Sequence, residues 1–96
     1  MIEVKVEFLG SFCSELGELE RRVALDDGAT LGDLVSHLVR NLAKGERFQQ
    51  MVLDEQGNKQ RYVLLMMNYR LLHQNPLEVK ILDQAKVVFA MPSAGG

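Results

Sequence analysis

The chain has 96 residues, 47% hydrophobic and 25% charged, with a net charge of −2. These values fit one domain with its own core and argue against disorder. The slight acidity gives no general attraction to phosphate backbones or anionic lipid, so neither nucleic acid nor a membrane surface is an expected partner.

The single cysteine, Cys13, has no partner for an internal disulfide, and with only two histidines the chain shows no metal-ligand spacing. No apolar run approaches the roughly 20 residues needed to span a bilayer, and the opening MIEVKVEFLG lacks a signal-peptide core. A cytoplasmic protein without a bound metal or cofactor is the expectation.

Ile2, Val4, Val6 and Phe8 alternate with Glu3, Lys5 and Glu7, the period of a strand with one buried face. After a turn expected around Ser14 to Gly17, residues 19–26 place Leu19, Arg21, Val23 and Leu25 on one face of a second strand. Asp27-Gly28 then supplies a turn, and Thr30 with Asp33 forms a short capping box for a helix lined by Leu31, Leu34, Val35, Leu38, Val39 and Leu42.

From Ala43 to Arg61 the pattern becomes a polar excursion with one short helical or extended piece around Phe48, Met51, Val52 and Leu53. Tyr62 to Met67 reads as a strand, Asn68-Tyr69-Arg70 as a turn, and Leu71 to Val79 as a short strand and a loop at Pro76. Lys86 to Met91 form the last strand, ended by Pro92, and the chain finishes Ser93-Ala94-Gly95-Gly96. Val4, Val6, Phe8, Val23, Leu34, Leu38 and Leu65 are expected in one core.

The strand ending Phe8-Leu9-Gly10, the helix entry DGATLGDLV, the Asn68 turn and a last strand running into Pro92-x-Ala94-Gly95-Gly96 together resemble the ubiquitin-like sulfur carriers, of the type of the small subunit of molybdopterin synthase. The resemblance spans nearly the whole chain. It implies an α+β fold, the β-grasp, with a mixed sheet packed on one main helix over residues 1–92 and a flexible tail at 93–96. The chain departs from the family pattern at Gln84-Ala85-Lys86, where a glycine-containing turn is usual, and at Tyr69, where glycine usually follows the asparagine.

The family chemistry implies that Gly96 carries the reacting carboxylate and that Gly95 lets the backbone enter a narrow channel, since side-chain-free residues meet no wall. An E1-like adenylating enzyme would consume ATP, and a larger molybdopterin synthase-type subunit would receive the sulfur. A modifier joined through Gly96 to lysines and a non-covalent interaction module are the alternatives on the same fold.

The apolar strands Val63–Met67 and Val87–Met91 supply side chains to both faces of a sheet, and one helix covers only one. Either the 43–61 excursion folds over the other face through Phe48, Met51 and Leu53, or that face docks a partner. The partner surface is expected at Met66, Phe89, Met91, Pro92 and Ala94, with alternation leaving open whether Phe89 or Val88 points inward. Cys13 reads as a small buried hydrophobe, and His37 and His73 as solvated.

Overall fold

A computed structural model describes residues 1–91. In chain order it contains β1 (Ile2–Gly10), α1 (Ser11–Leu16), β2 (Glu20–Leu25), α2 (Leu31–Asn41), α3 (Gly45–Val52), β3 (Leu64–Met67), β4 (Arg70–Leu71), a 3-10 turn (Pro76–Glu78) and β5 (Lys86–Met91). The strands form one mixed sheet in the order β2-β1-β5-β3-β4, with β1 and β5 parallel and the other neighbours antiparallel.

The expected strand periodicity sets which residues go inside. Val4, Val6 and Phe8 of β1 pair with Val23, Val87 and Phe89 among others, and all are buried on one face beneath α2. All seven residues expected in a common core belong to it. Thr30 caps α2 as its sequence predicts: its hydroxyl accepts from the Asp33 amide, and the Asp33 carboxylate accepts from the Thr30 amide at 2.9 Å. Two orphan donors at the helix start are thereby satisfied.

Two local expectations are corrected. The first connection is a helix, α1, that buries Phe12 and Leu16 and ends on Gly17 in the left-handed conformation. Six residues between Gly10 and Gly17 are too few for hydrophobic periodicity to stand out, so the glycines alone marked the segment. The second correction concerns the excursion. It contains α3, whose Phe48, Met51 and Val52 enter the same core as α2, on the inner side of the sheet. Leu53 also packs against that core, so the excursion leaves the outer face uncovered.

The four phenylalanines of the chain meet at one end of this core. Phe48 stands edge-on to Phe89 with ring centroids 5.2 Å apart, and Phe8 and Phe12 each lie 6.0–6.1 Å from both of these rings. Such geometries suit the ring quadrupoles and add to the apolar area buried.

The glycine-free turns are made at a backbone cost. Asn68 (φ 51°) and Tyr69 (φ 70°) turn the chain between β3 and β4, and Gln84 (φ 64°) turns it before β5. Asparagine tolerates this region through local hydrogen bonding, and the Asn68 side-chain oxygen accepts from the Lys86 amide at 2.9 Å. The expected domain boundary at residue 92 lies outside the described residues.

Candidate functional site

Register assigns the outer face of the sheet. Lys86, Val88 and Ala90 of β5 lie opposite Lys5, Glu7 and Leu9 of β1, Val88 and Ala90 lie opposite Met66 and Leu64 of β3, and Leu71 of β4 lies opposite Met66. The face has two halves. Toward β2 it is charged and pairs internally: Arg22 with Glu3 at 2.8 Å, Lys5 with Glu20 at 3.4 Å, and Lys86 with Glu7 at 3.3 Å. Toward β3 and β4 it is apolar, built from Leu9, Leu64, Met66, Leu71, Val88 and Ala90.

Three of these leucines, Leu9, Leu64 and Leu71, are each 41% exposed. Val88 is buried to 7% exposure by its neighbours on this face, yet it does not belong to the main core. Among the described residues nothing is layered over the patch. A contiguous apolar surface with a rim of compensated charges is the usual form of a protein-docking site.

Lys86 marks the seam between the halves. The hydrogen bond to the Glu7 carboxylate holds its ammonium above the ordinary lysine range, and the Tyr69 ring, 4.9 Å from the ammonium, lends further support. Elsewhere, burial pushes His37 below the ordinary histidine value, aided by the charges of Arg40 and Arg21. Burial likewise lowers Lys59, whose ammonium donates to the carbonyls of Gln60 and Val63 at 2.9 and 2.6 Å and ties the excursion to the start of β3. These groups are spread over the surface and form no catalytic constellation.

Of the expected partner-binding residues, Met66 lies half-buried on the outer face. Phe89 does not: it points inward, fully buried in the phenylalanine cluster, because the parity of β5 sends Val88 outward. Met91 shares the parity of Phe89 and packs against the edge of the core. Pro92, Ala94, Gly95 and Gly96 lie outside the described residues. Leu9, Leu64 and Leu71 were not among the expected residues, and the choice left open between Phe89 and Val88 falls to Val88; Lys86 carried the signal, since a charged first residue fixes the outward parity of the strand that follows.

Among the described residues no group of histidine, cysteine, aspartate and glutamate side chains could hold a metal ion. No helix there is long and apolar enough to cross a membrane.

This mixed five-stranded sheet, with its main helix packed across one face, is the ubiquitin-like β-grasp fold. The chain is similar to the structure of SAMP1 from Haloferax volcanii, at 18% identity and a TM-score of 0.82, covering 98% of this chain and 99% of that one. It is also similar to Urm1 from Trypanosoma brucei, at 22% identity and a TM-score of 0.75, covering 98% and 95%. A third similar structure, from Pyrococcus furiosus, is described as molybdopterin converting factor subunit 1; it has 23% identity and a TM-score of 0.72, covering 96% and 99%. No family model matches the sequence, and no curated protein matches it.

Proposed function

We propose that this protein is a sulfur carrier whose Gly96 carboxylate is activated by an E1-like adenylating enzyme and converted to a thiocarboxylate. A carboxylate is a poor electrophile at neutral pH. Attack of its oxygen on the α-phosphorus of ATP expels pyrophosphate and leaves an acyl-adenylate, from which a sulfur nucleophile displaces AMP at the carbonyl carbon. The described residues offer no group arranged to do this, so the catalyst is another protein and the chain supplies the substrate end and the docking surface.

The observation that carries this reading is a juxtaposition. β5, the central strand, borders the uncovered apolar half-face and runs on in sequence to Ala94-Gly95-Gly96. The same half-face suits a larger subunit that accepts the sulfur, and the similar structure from Pyrococcus furiosus supports a role in molybdenum or tungsten cofactor synthesis. Incubation with the adenylating enzyme, ATP and a sulfur source is expected to replace one oxygen by sulfur in the intact mass. A mass that never changes with a competent enzyme overturns the carrier reading.

A second reading has its own support. One similar structure is of a small archaeal modifier protein, which favours attachment of Gly96 to lysines of other proteins. Recovery of isopeptide conjugates from cells, in place of the thiocarboxylate, selects it.

A further inference from the structure

Gly10 and Met91 form the last pair of the parallel β1·β5 ladder, so the chain leaves the described sheet beside Gly10. Gly10 has φ 63° and ψ −132°, a combination that L side chains rarely adopt and that lies far from the left-handed helical well. It also sits against the Met91 peptide. A Cβ built on Gly10 would overlap the Met91 carbonyl oxygen and come within 3.2 Å of its carbon. Because these are backbone atoms, no rotamer change relieves the clash, and one of the two strands must move.

The surroundings make that pair a fixed point. Immediately after Gly10 the chain enters α1, which packs on β1, α3 and β5. Phe12 of α1 contacts Phe89, two residues before Met91, with centroids 6.1 Å apart. Gly96 lies five residues beyond Met91, a reach of at most roughly 17 Å at full extension. Over so short a span, a shift or rotation of the Met91 peptide changes where the carboxylate can be presented.

We propose that Gly10 is a positioning residue: its missing side chain lets Met91 seat against the end of β1, and so fixes the point and direction from which the tail is delivered. The consequence for adenylation rests on the carrier reading above, whereas the anchoring of Met91 does not. Geometry in an acyl-transfer site is exacting, and displacement of a reacting atom by about 1 Å can cost on the order of 100-fold in rate.

Gly10→Ala tests this against Gly17→Ala, a second positive-φ glycine (φ 71°) whose added Cβ would meet nothing within 4 Å. Both variants are expected to melt earlier than the parent. With the adenylating enzyme and ATP, Gly10→Ala is expected to lose at least tenfold in kcat with KM within about twofold, because docking through the sheet survives while the carboxylate is misplaced. Gly17→Ala is expected to keep the parental kcat. Equal kcat for Gly10→Ala and the parent overturns the proposal.

A second measurement needs no enzyme and, in the parent, no variant. Backbone relaxation should give Met91 a rigid order parameter near about 0.85 in the parent, falling below about 0.6 in Gly10→Ala. A mobile Met91 in the parent overturns the anchor even where the variant fails to fold, and so does an unchanged value in a folded variant. If the parent is never adenylated but Met91 loosens on substitution, the carrier reading fails and the anchoring role stands.

Discussion

The two faces of the sheet come from the same alternating strands yet have different fates. The inner face carries Val4, Val6, Phe8, Val87 and Phe89 beneath α2 and α3, and every one of these side chains is inaccessible to solvent. The outer face carries the neighbours of those residues, one step along each strand, and leaves three leucines open beside three mutually paired ion pairs. A single-residue offset therefore separates side chains that hold the fold together from side chains available to a partner. The β5 pair Val88 and Phe89 condenses the contrast.

The largest expected effect breaks the inner face. Phe89→Ala removes a ring that touches Phe8, Phe12 and Phe48, and should cost about 3–5 kcal/mol in chemical denaturation, a large part of the roughly 5–15 kcal/mol of a typical domain. A loss below about 1 kcal/mol would place the ring outside the packed cluster. Met66→Asp probes the opposite face. It should weaken association with the larger subunit or the adenylating enzyme at least tenfold, about 1.4 kcal/mol, while the variant stays folded. Unchanged association with an intact fold moves the interface off this half-face.

Thr30→Ala sharpens the comparison from the helical layer. It removes the hydroxyl of the capping box but touches neither face of the sheet, and should lower stability by about 1 kcal/mol with partner binding unchanged. A change in binding larger than the change in stability would mean that α2 takes part in docking.

How much of this was legible beforehand follows the same division. The inner face was readable because burial imposes period two on β1 and a helical stripe on α2, and Thr30 with Asp33 announced the helix start. α1 was not legible: six residues carry too little pattern to separate a helix from a turn, and its two buried side chains, Phe12 and Leu16, acquire meaning only from the partners they meet. The excursion hid its destination for a related reason. Phe48 and Met51 declare that something must be buried, but which side of the sheet α3 reaches depends on tertiary contacts with α2 and on the phenylalanine cluster. On β5 three consecutive apolar residues, Val87, Val88 and Phe89, blurred the parity that Lys86 defines. The glycine-free turns were foreseeable as sites without glycine, though not as three non-glycine residues all at positive φ.

The smallest effect is expected in the charged half of the outer face, at Lys86. Its folded-state pKa is raised above the ordinary lysine value, first by the hydrogen bond to Glu7, so the folded protein holds this proton more tightly than the unfolded chain does. The linked stabilisation is fully present below the ordinary lysine pKa of about 10.4 and disappears as pH rises through the higher folded value. Because ammonium and carboxylate both remain in contact with water, the pair is screened and the gain is slight. Lys86→Met should therefore leave stability at neutral pH close to that of the parent, and the small difference that exists should shrink as the solution is made alkaline. Repeating the comparison in a Glu7→Gln background should shrink the pH-dependent part, since the largest cause of the raised pKa is then gone and only the smaller contribution of Tyr69 remains. A difference that grows toward alkaline pH would reverse the sign of the linkage and refute the role given to Glu7. A large loss at neutral pH would instead show that this half of the outer face carries stability of the kind assigned here to the inner one.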